Sequence, residues 1–283
     1  MVRLVMPLLL CFTLAGCSGT AVLNALAPKQ GILVRRDVAY ATGPRHGLDV
    51  YAPADARNAP VAVFLYGGGW TGGAKGEYGF VGATLAARGI MTVIPDYRLY
   101  PGARYPTFIE DCAAAVAWAR RHARLFGGDP RKLFLIGHSA GAYNAMMLAL
   151  DPVWLAPYGI TPYRDLAGVV GISGPYDFLP LDTDQLRSIF APAMPLTASQ
   201  PINYVRTPMP PMLLLAVSGD RTVYPRNSIH LATAIREQGG DVTLKIYPGL
   251  NHALSLGAIA TPLTWLAPVQ DDVAGFIARE SGK

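Results

Sequence analysis

Short apolar runs alternate with longer helical stretches along most of this chain, and this alternation restricts the possible folds more than any other feature. Some of these runs are continuously apolar, for example residues 61–65 and 212–216. Such runs are typical of parallel strands that are buried on both faces. The alternation therefore predicts an α/β fold, in which helices cover both faces of a mostly parallel sheet. The predicted strands are 32–40, 48–51, 61–66, 91–95, 133–136, 166–172, 212–217 and 242–247.

The predicted helices lie between these strands and after the last one. They cover residues 81–88, 108–126, 140–150, 227–238 and 269–279. One segment, residues 175–211, breaks the alternation and holds eight of the chain's 24 prolines. Because proline removes a backbone donor and interrupts helices, we expect an irregular excursion there. Loops of this length usually lie over a functional site.

The N-terminus has the pattern of an export signal. A short positive start, with Arg3, precedes an apolar stretch over residues 4–15, which is shorter than the about 20 residues that span a bilayer. Residues 14–17, Leu-Ala-Gly-Cys, resemble the bacterial lipobox, in which cleavage leaves the cysteine to carry lipid. The pattern predicts a signal peptide at 1–16, a lipidated Cys17 with a flexible tether at 17–30, and one α/β domain at 31–283. An ordinary signal peptide with a chance cysteine, or an uncleaved anchor, is the alternative.

Location and partners follow from the same pattern and from the charge. The lipobox predicts an exported lipoprotein of the cell envelope, and Ser18 after the cysteine favours the outer membrane at its periplasmic face. The net charge is +5, but the basic residues are scattered along the chain. Nucleic-acid binding needs basic residues clustered on one face, so no nucleic-acid partner is expected. Loss of Cys11 and acylation of Cys17 would leave only Cys112, a predicted core residue, so no internal disulfide is expected.

A serine motif gives the strongest functional signal. Residues 137–141, Gly-His-Ser-Ala-Gly, directly follow a predicted apolar strand and open a predicted helix. This context is typical of a nucleophile elbow, a sharp turn that exposes the serine oxygen. The helix that follows favours the negative charge that develops during acyl transfer. The motif therefore predicts Ser139 as a nucleophile.

A second motif follows the strand predicted at 61–66. Residues 66–70 read Tyr-Gly-Gly-Gly-Trp, and glycines let backbone N–H groups approach a ligand without an intervening side chain. We expect the N–H groups of Gly68, Gly69 and Ala140 to form an oxyanion hole. A simple flexible turn is the alternative interpretation.

A serine hydroxyl needs a base, and five histidines are candidates. His252 is favoured because it follows the last predicted strand, at the edge where active sites of α/β proteins gather. The other four histidines, at positions 46, 122, 138 and 230, are interpreted as structural or solvent-facing.

The acid that orients the histidine is expected between Ser139 and His252. Asp220 is favoured because it follows a buried strand and would hold the imidazole in the correct tautomer. Asp177 also follows a strand and is the second candidate, whereas Asp241 lies at a turn on the opposite edge.

These motifs together resemble the bacterial α/β-hydrolases grouped with esterases and lipases of the BD-FAE and hormone-sensitive-lipase type. The resemblance extends from about residue 48 to 255 and rests on the glycine loop, the elbow, and residues 95–101, 127–130, 218–223 and 247–252. It implies the same triad, Ser139, Asp220 and His252, and the same oxyanion donors. Tyr66 departs from the family, which often has histidine there. The hormone-sensitive-lipase branch has an N-terminal helical cap that is not predicted here, so the BD-FAE branch fits better.

The predicted function is a serine carboxylic-ester hydrolase that forms an acyl-enzyme and uses no metal or organic cofactor. The expected substrates are short-acyl or small aromatic esters. An amide or formamide hydrolase with the same machinery is one alternative. A noncatalytic envelope-binding protein on this scaffold is the other.

Overall fold

The computed structural model describes residues 19–282. The predicted signal peptide and Cys17 lie outside the described residues. Within residues 19–282, no helix has both the length and the apolar composition needed to cross a membrane.

The described residues form a sheet of eight strands in the order β1-β2-β4-β3-β5-β6-β7-β8. β1 and β2 form an antiparallel pair, β2 is antiparallel to β4, and the remaining neighbours are parallel. This is the α/β-hydrolase fold, so the predicted fold class is confirmed. The strands are β1 (Ile32–Ala39), β2 (Gly47–Pro53), β3 (Ala59–Leu65), β4 (Met91–Pro95), β5 (Gly128–His138), β6 (Gly168–Ile172), β7 (Met212–Val217) and β8 (Val242–Tyr247).

Helices cover both faces of this sheet. The central strands β4, β6 and β7 are buried along their whole length, as the continuous apolar runs predict. The helices are α1 (Gly19–Leu26), α2 (Gly79–Ala87), α3 (Thr107–His122), α4 (Ala140–Leu150), α5 (Pro162–Asp165), α6 (Asp184–Phe190), α7 (Arg226–Glu237), α8 (His252–Gly257) and α9 (Val269–Ser281). Every residue of α4 is buried, so the element behind Ser139 is anchored in the core.

The prediction of a flexible tether was wrong for residues 19–26, which form α1. Leu23 and Ala27 pack against the core. The side chain of Asn24 binds backbone groups just before and within α2. Its amide donates to the Gly76 carbonyl over 2.9 Å, and its oxygen accepts from the Phe80 N–H over 2.7 Å. The bond to Phe80 satisfies a backbone N–H that α2 leaves free at its start. The helix is short and has no charged residues that would mark its ends.

The proline-rich segment, residues 175–211, is mostly irregular, as predicted, but it contains α6. Thr183 caps this helix, because its hydroxyl accepts the N–H of Leu186 over 3.1 Å. Phe178 and Phe190 of this segment pack together, with 5.4 Å between their ring centroids. The segment therefore has an aromatic underside that faces the rest of the domain.

Candidate active site

Ser139 lies at a sharp turn between β5 and α4. Its backbone has φ 55° and ψ −125°, a strained conformation for a residue with a side chain. The turn leaves no room for larger neighbours: a Cβ on Gly141 would lie 2.0 Å from the carbonyl oxygen of Leu65, and one on Gly137 would lie 2.3 Å from the Gly141 oxygen. The two glycines of the motif are therefore required by close packing.

His252 lies directly against this serine. Its Nε2 is 2.8 Å from Ser139 Oγ. Two contacts hold the histidine at the first turn of α8: Asn251 caps the helix by accepting the N–H of Leu254 over 3.0 Å, and Ser255 Oγ donates to the His252 carbonyl over 2.7 Å. The histidine is thus fixed by its own helix.

Asp220 completes a chain of three hydrogen-bonded side chains. Its Oδ2 is 2.7 Å from His252 Nδ1. Its Oδ1 accepts the backbone N–H groups of Thr222 and Val223 over 2.9 and 2.8 Å. Asp220 is 3% exposed, so a buried carboxylate is oriented toward the imidazole with both of its oxygens bonded.

The glycine loop after β3 approaches the serine from the other side. A Cβ on Gly67 would lie 2.9 Å from Ser139 Cβ, which shows how closely the backbone passes. Gly68 and Gly69 have φ of 126° and 58°. The Gly68 carbonyl accepts the N–H of Thr71 and that of Gly72, each over 3.0 Å. No backbone carbonyl in the described part of the chain accepts the N–H of Gly68, Gly69 or Ala140.

His138, the residue before the serine, is structural, as the sequence interpretation allowed, but its contact with His252 was not predicted. It is 7% exposed, its ring centroid lies 4.9 Å from that of His252, and its Nε2 is 3.3 Å from the His252 carbonyl. Burial, together with the charge that His252 can carry, lowers the pKa of His138 to about 3. His138 therefore stays neutral and supports the His252 backbone as a donor. Only its place inside the elbow motif hinted at this contact.

The second candidate acid lies elsewhere. Asp177 Oδ2 is 2.7 Å from Nδ1 of His230, on α7. Asp177 therefore pairs with His230 and not with His252. The carbonyl of Asp241 accepts the N–H of Met212 at the start of β7, which is the opposite edge of the sheet. The structure thus brings together Ser139, His252 and Asp220 and leaves both other acids out.

Trp70 links the glycine loop to the proline-rich segment. Its ring is 3% exposed and contacts Tyr143 and Phe190 edge-on, at centroid distances of 5.2 and 5.0 Å. Its indole N–H donates to Asn144 Oδ1, on α4, over 3.2 Å. Cys112 is buried and free, and Asn144 Nδ2 lies 3.6 Å from its sulfur. The rings of Trp70, Tyr143 and Phe190 thus form one buried aromatic cluster.

The sheet order and the serine at the turn into α4 define the class of this protein as an α/β-hydrolase. The chain belongs to the BD-FAE family, whose family model matches residues 48–235. The resemblance seen in the sequence motifs is therefore confirmed.

Known proteins of similar sequence are named as esterases. A probable isoprenylcysteine alpha-carbonyl methylesterase of Oryza sativa is 30% identical, and the alignment covers 77% of this chain and 57% of the plant protein. Esterase LipC of Mycobacterium tuberculosis is 31% identical, with 78% of this chain and 60% of LipC covered. This chain thus spans less than two thirds of the length of these two relatives.

A solved structure supports the fold. Esterase B of Lactobacillus rhamnosis superimposes with a TM-score of 0.78, covering 93% of this chain and 91% of the esterase chain, at 19% sequence identity. At this identity the similarity concerns the arrangement of sheet and helices.

Proposed function

We propose that this chain is a carboxylic-ester hydrolase that acts through an acyl-enzyme on Ser139. The observation that carries the proposal is the line of side chains from Asp220 through His252 to Ser139, with hydrogen-bond distances of 2.7 and 2.8 Å. This line ends at the turn into α4, where the glycine loop passes close to Ser139. The named esterases among the relatives support the same reaction class.

In the first half of the reaction, Ser139 Oγ attacks the ester carbonyl while His252 Nε2 takes the hydroxyl proton. Asp220 accepts the Nδ1–H, which fixes the tautomer that leaves Nε2 free and stabilises the imidazolium that forms. The tetrahedral oxygen carries negative charge, and the unpaired N–H groups of Gly68, Gly69 and Ala140 would donate to it.

The intermediate then collapses. The ester C–O bond breaks, the alcohol leaves with the proton held on His252 Nε2, and the acyl group stays on Ser139. In the second half, water gives a proton to His252 and attacks the acyl carbon. The carboxylic acid leaves as Ser139 recovers its proton.

The direct test is turnover of p-nitrophenyl acetate by Ser139→Ala, beside Ser188→Ala as the matched control. Ser188 lies on α6 and loses the same hydroxyl, away from the three-residue line. We expect Ser139→Ala to lose about 10⁶ in turnover, and the control to keep wild-type activity. Ser139→Ala activity within tenfold of wild type would overturn the assignment. An aryl formamide assayed in parallel distinguishes an ester hydrolase from a formamide hydrolase.

We further propose a preference for short-acyl or small aromatic esters. The supporting observation is the proline-rich segment, residues 175–211, whose eight prolines disfavour a large hinged lid that opens on a lipid surface. A comparison of kcat/KM for acetyl, butyryl, octanoyl and palmitoyl esters tests this preference. An optimum at the palmitoyl ester, with a jump in rate above its micelle concentration, would favour a lipase instead.

The N-terminal motif supports a separate proposal, that Cys17 carries lipid and ties the protein to the cell envelope. Buried acyl chains contribute about 0.8 kcal/mol per CH₂, which is sufficient for an anchor of two or more chains. Cys17→Ser should abolish labelling by palmitate and release the protein from the membrane fraction. Equal palmitate labelling of the wild type and the variant would refute the proposal.

A further inference from the structure

Tyr66 holds the beginning and the end of the glycine loop together. Its hydroxyl accepts from Arg45 Nη2 over 2.7 Å and donates to Asp96 Oδ1 over 2.7 Å. Its ring lies on the backbone of Gly73, where an added Cβ would come within 2.9 Å of two ring carbons. The residue that begins the loop thus also contacts the residue that ends it.

Arg45 repeats this link with its guanidinium group. Besides Tyr66, its Nη2 donates to the Gly73 carbonyl over 2.7 Å, and its Nε donates to the Tyr97 carbonyl over 2.8 Å. The planar fork of arginine suits this arrangement, because its donors point in fixed directions toward several acceptors. Lysine could not make all three bonds.

Asp96 and Tyr97 hold the loop from the end of β4. Asp96 Oδ1 accepts the backbone N–H of Lys75 over 2.8 Å, just after the loop. The Tyr97 hydroxyl donates to the Tyr66 carbonyl over 2.7 Å, just before it. Asp96 is therefore bonded at both ends of the glycine loop, through the Tyr66 hydroxyl and the Lys75 N–H, and Tyr97 is bonded at its beginning.

The aromatic ring of Tyr66 is itself fixed by stacking. It is fully buried between Tyr78 and Tyr97, with ring centroids 5.2 and 4.8 Å away. Burial, and next the negative charge of Asp96, raise the pKa of Tyr66. The phenol therefore remains protonated and donates to Asp96 throughout the working pH range.

The loop needs such support because its backbone is strained. Gly68, Gly69, Trp70 and Gly73 all have positive φ, and Trp70, at 60°, is not a glycine. Conformations of this kind cost free energy and persist only where the surrounding structure enforces them. Within the loop, the N–H groups of Thr71 and Gly72 donate to the Gly68 carbonyl. These bonds shape the turn but do not join the loop to the sheet.

We propose that Tyr66, together with Arg45 and Asp96, is a positioning residue that sets the Gly68 and Gly69 N–H groups relative to Ser139. This inference rests on the proposed ester hydrolysis. Tyr66 acts only through the loop and does not touch the reacting atoms. The shorter imidazole of the family's histidine could not reach Arg45 and Asp96 as the phenol does, so Tyr66 and Arg45 operate as a pair.

The test compares Tyr66→Phe with Tyr78→Phe. Each change removes one phenolic hydroxyl and keeps the ring stack, and no described residue forms a hydrogen bond with the Tyr78 hydroxyl. For Tyr66→Phe we expect kcat on p-nitrophenyl acetate to fall about 10- to 100-fold, because the donors are misplaced, with KM changed less than about twofold. Tyr78→Phe should match the wild type.

A trifluoromethyl ketone shows whether the loss occurs at the oxyanion. This inhibitor bonds to the serine and forms an oxyanion that the loop must bind, so its Ki should rise in proportion to the fall in kcat/KM. A fall in kcat with an unchanged ketone Ki, or a Tyr66→Phe variant within about twofold of wild type, would overturn the proposal.

Two more variants distinguish a loss of positioning from a loss of folding. Arg45→Lys should show the same fall in kcat and rise in ketone Ki as Tyr66→Phe. Tyr66→His should also have reduced activity. Both variants should unfold at a temperature close to that of wild type. Wild-type turnover of Tyr66→His would overturn the proposed pairing with Arg45. A wild-type chain without ester hydrolysis would count against the proposed function, whereas active wild type with an unaffected Tyr66→Phe counts against the positioning role alone.

Discussion

Two histidine–aspartate pairs in this molecule have the same length and different surroundings. Asp220 and His252 are joined over 2.7 Å, and so are Asp177 and His230. The two acids follow neighbouring strands, β7 and β6. In the first pair the side chains are 1% and 17% exposed, whereas in the second they are 37% and 50% exposed.

The difference shows that the pair alone does not make a reactive centre. His252 has Ser139 at its second nitrogen, and Asp220 has two backbone N–H groups on its second oxygen. Both features give direction to the proton transfer and exclude water from the carboxylate. The exposed pair resembles a surface ion pair, which contributes about 0–1 kcal/mol to stability.

The largest difference between the pairs should appear when each histidine is replaced. His252→Ala removes the base of the proposed mechanism and should reduce turnover of p-nitrophenyl acetate by about 10⁶. His230→Ala removes an exposed imidazole and should leave turnover within about twofold of wild type. Equal losses from both variants would mean that the exposed pair takes part in the chemistry.

Replacing the two acids should give a smaller difference in turnover than replacing the two histidines. Asp220→Asn keeps the size of the side chain but favours the wrong imidazole tautomer, so kcat should fall by about 10⁴. Asp177→Asn makes the same chemical change on the surface and serves as the control. The comparison would fail if Asp177→Asn lost more activity than Asp220→Asn.

The smallest effect concerns the stability of the folded chain in acid. It depends on His138, which is buried beside His252. The pKa of His138 falls from its ordinary 6.5 to about 3 in the folded chain, so the unfolded chain takes up the proton first. Stability should therefore decrease as the pH falls from about 6.5 toward 3, by about 1.4 kcal/mol per pH unit. In urea unfolding, wild type should lose about 2 kcal/mol more than His138→Gln between pH 7 and pH 5. Equal losses would show that His138 does not contribute.

The sequence predicted most of the sheet, and it predicted that Ser139, Asp220 and His252 lie close together. Three of the predicted strands, at 91–95, 212–217 and 242–247, have the same bounds in the structure. The first two are buried along their whole length, which agrees with their apolar runs, whereas the third is a partly exposed edge strand. Ser139, Asp220 and His252 each follow a strand, and the carboxyl ends of parallel strands meet at one edge. Their roles in catalysis stay a prediction that the experiments above address.

The contacts that the sequence did not reveal depend on distant side chains. Arg45 binds Tyr66, 21 positions away, and neither residue lies in a pattern that indicates the other. Likewise, α1 has no marked ends, and its position depends on Asn24 reaching backbone groups more than 50 positions away. Periodicity and local motifs describe neighbours along the chain, so bonds of this kind emerge only from the folded arrangement.

The identity of the residue that reacts with an active-site serine probe tests the central claim most directly. The chain would be treated with a fluorophosphonate, which bonds to activated serines, and the labelled peptide identified by mass spectrometry. We predict one adduct per chain, on Ser139, and no adduct in the Asp220→Asn and His252→Ala variants on the same time scale. Labelling at another serine, or ester hydrolysis that continues while Ser139 stays unlabelled, would contradict the account.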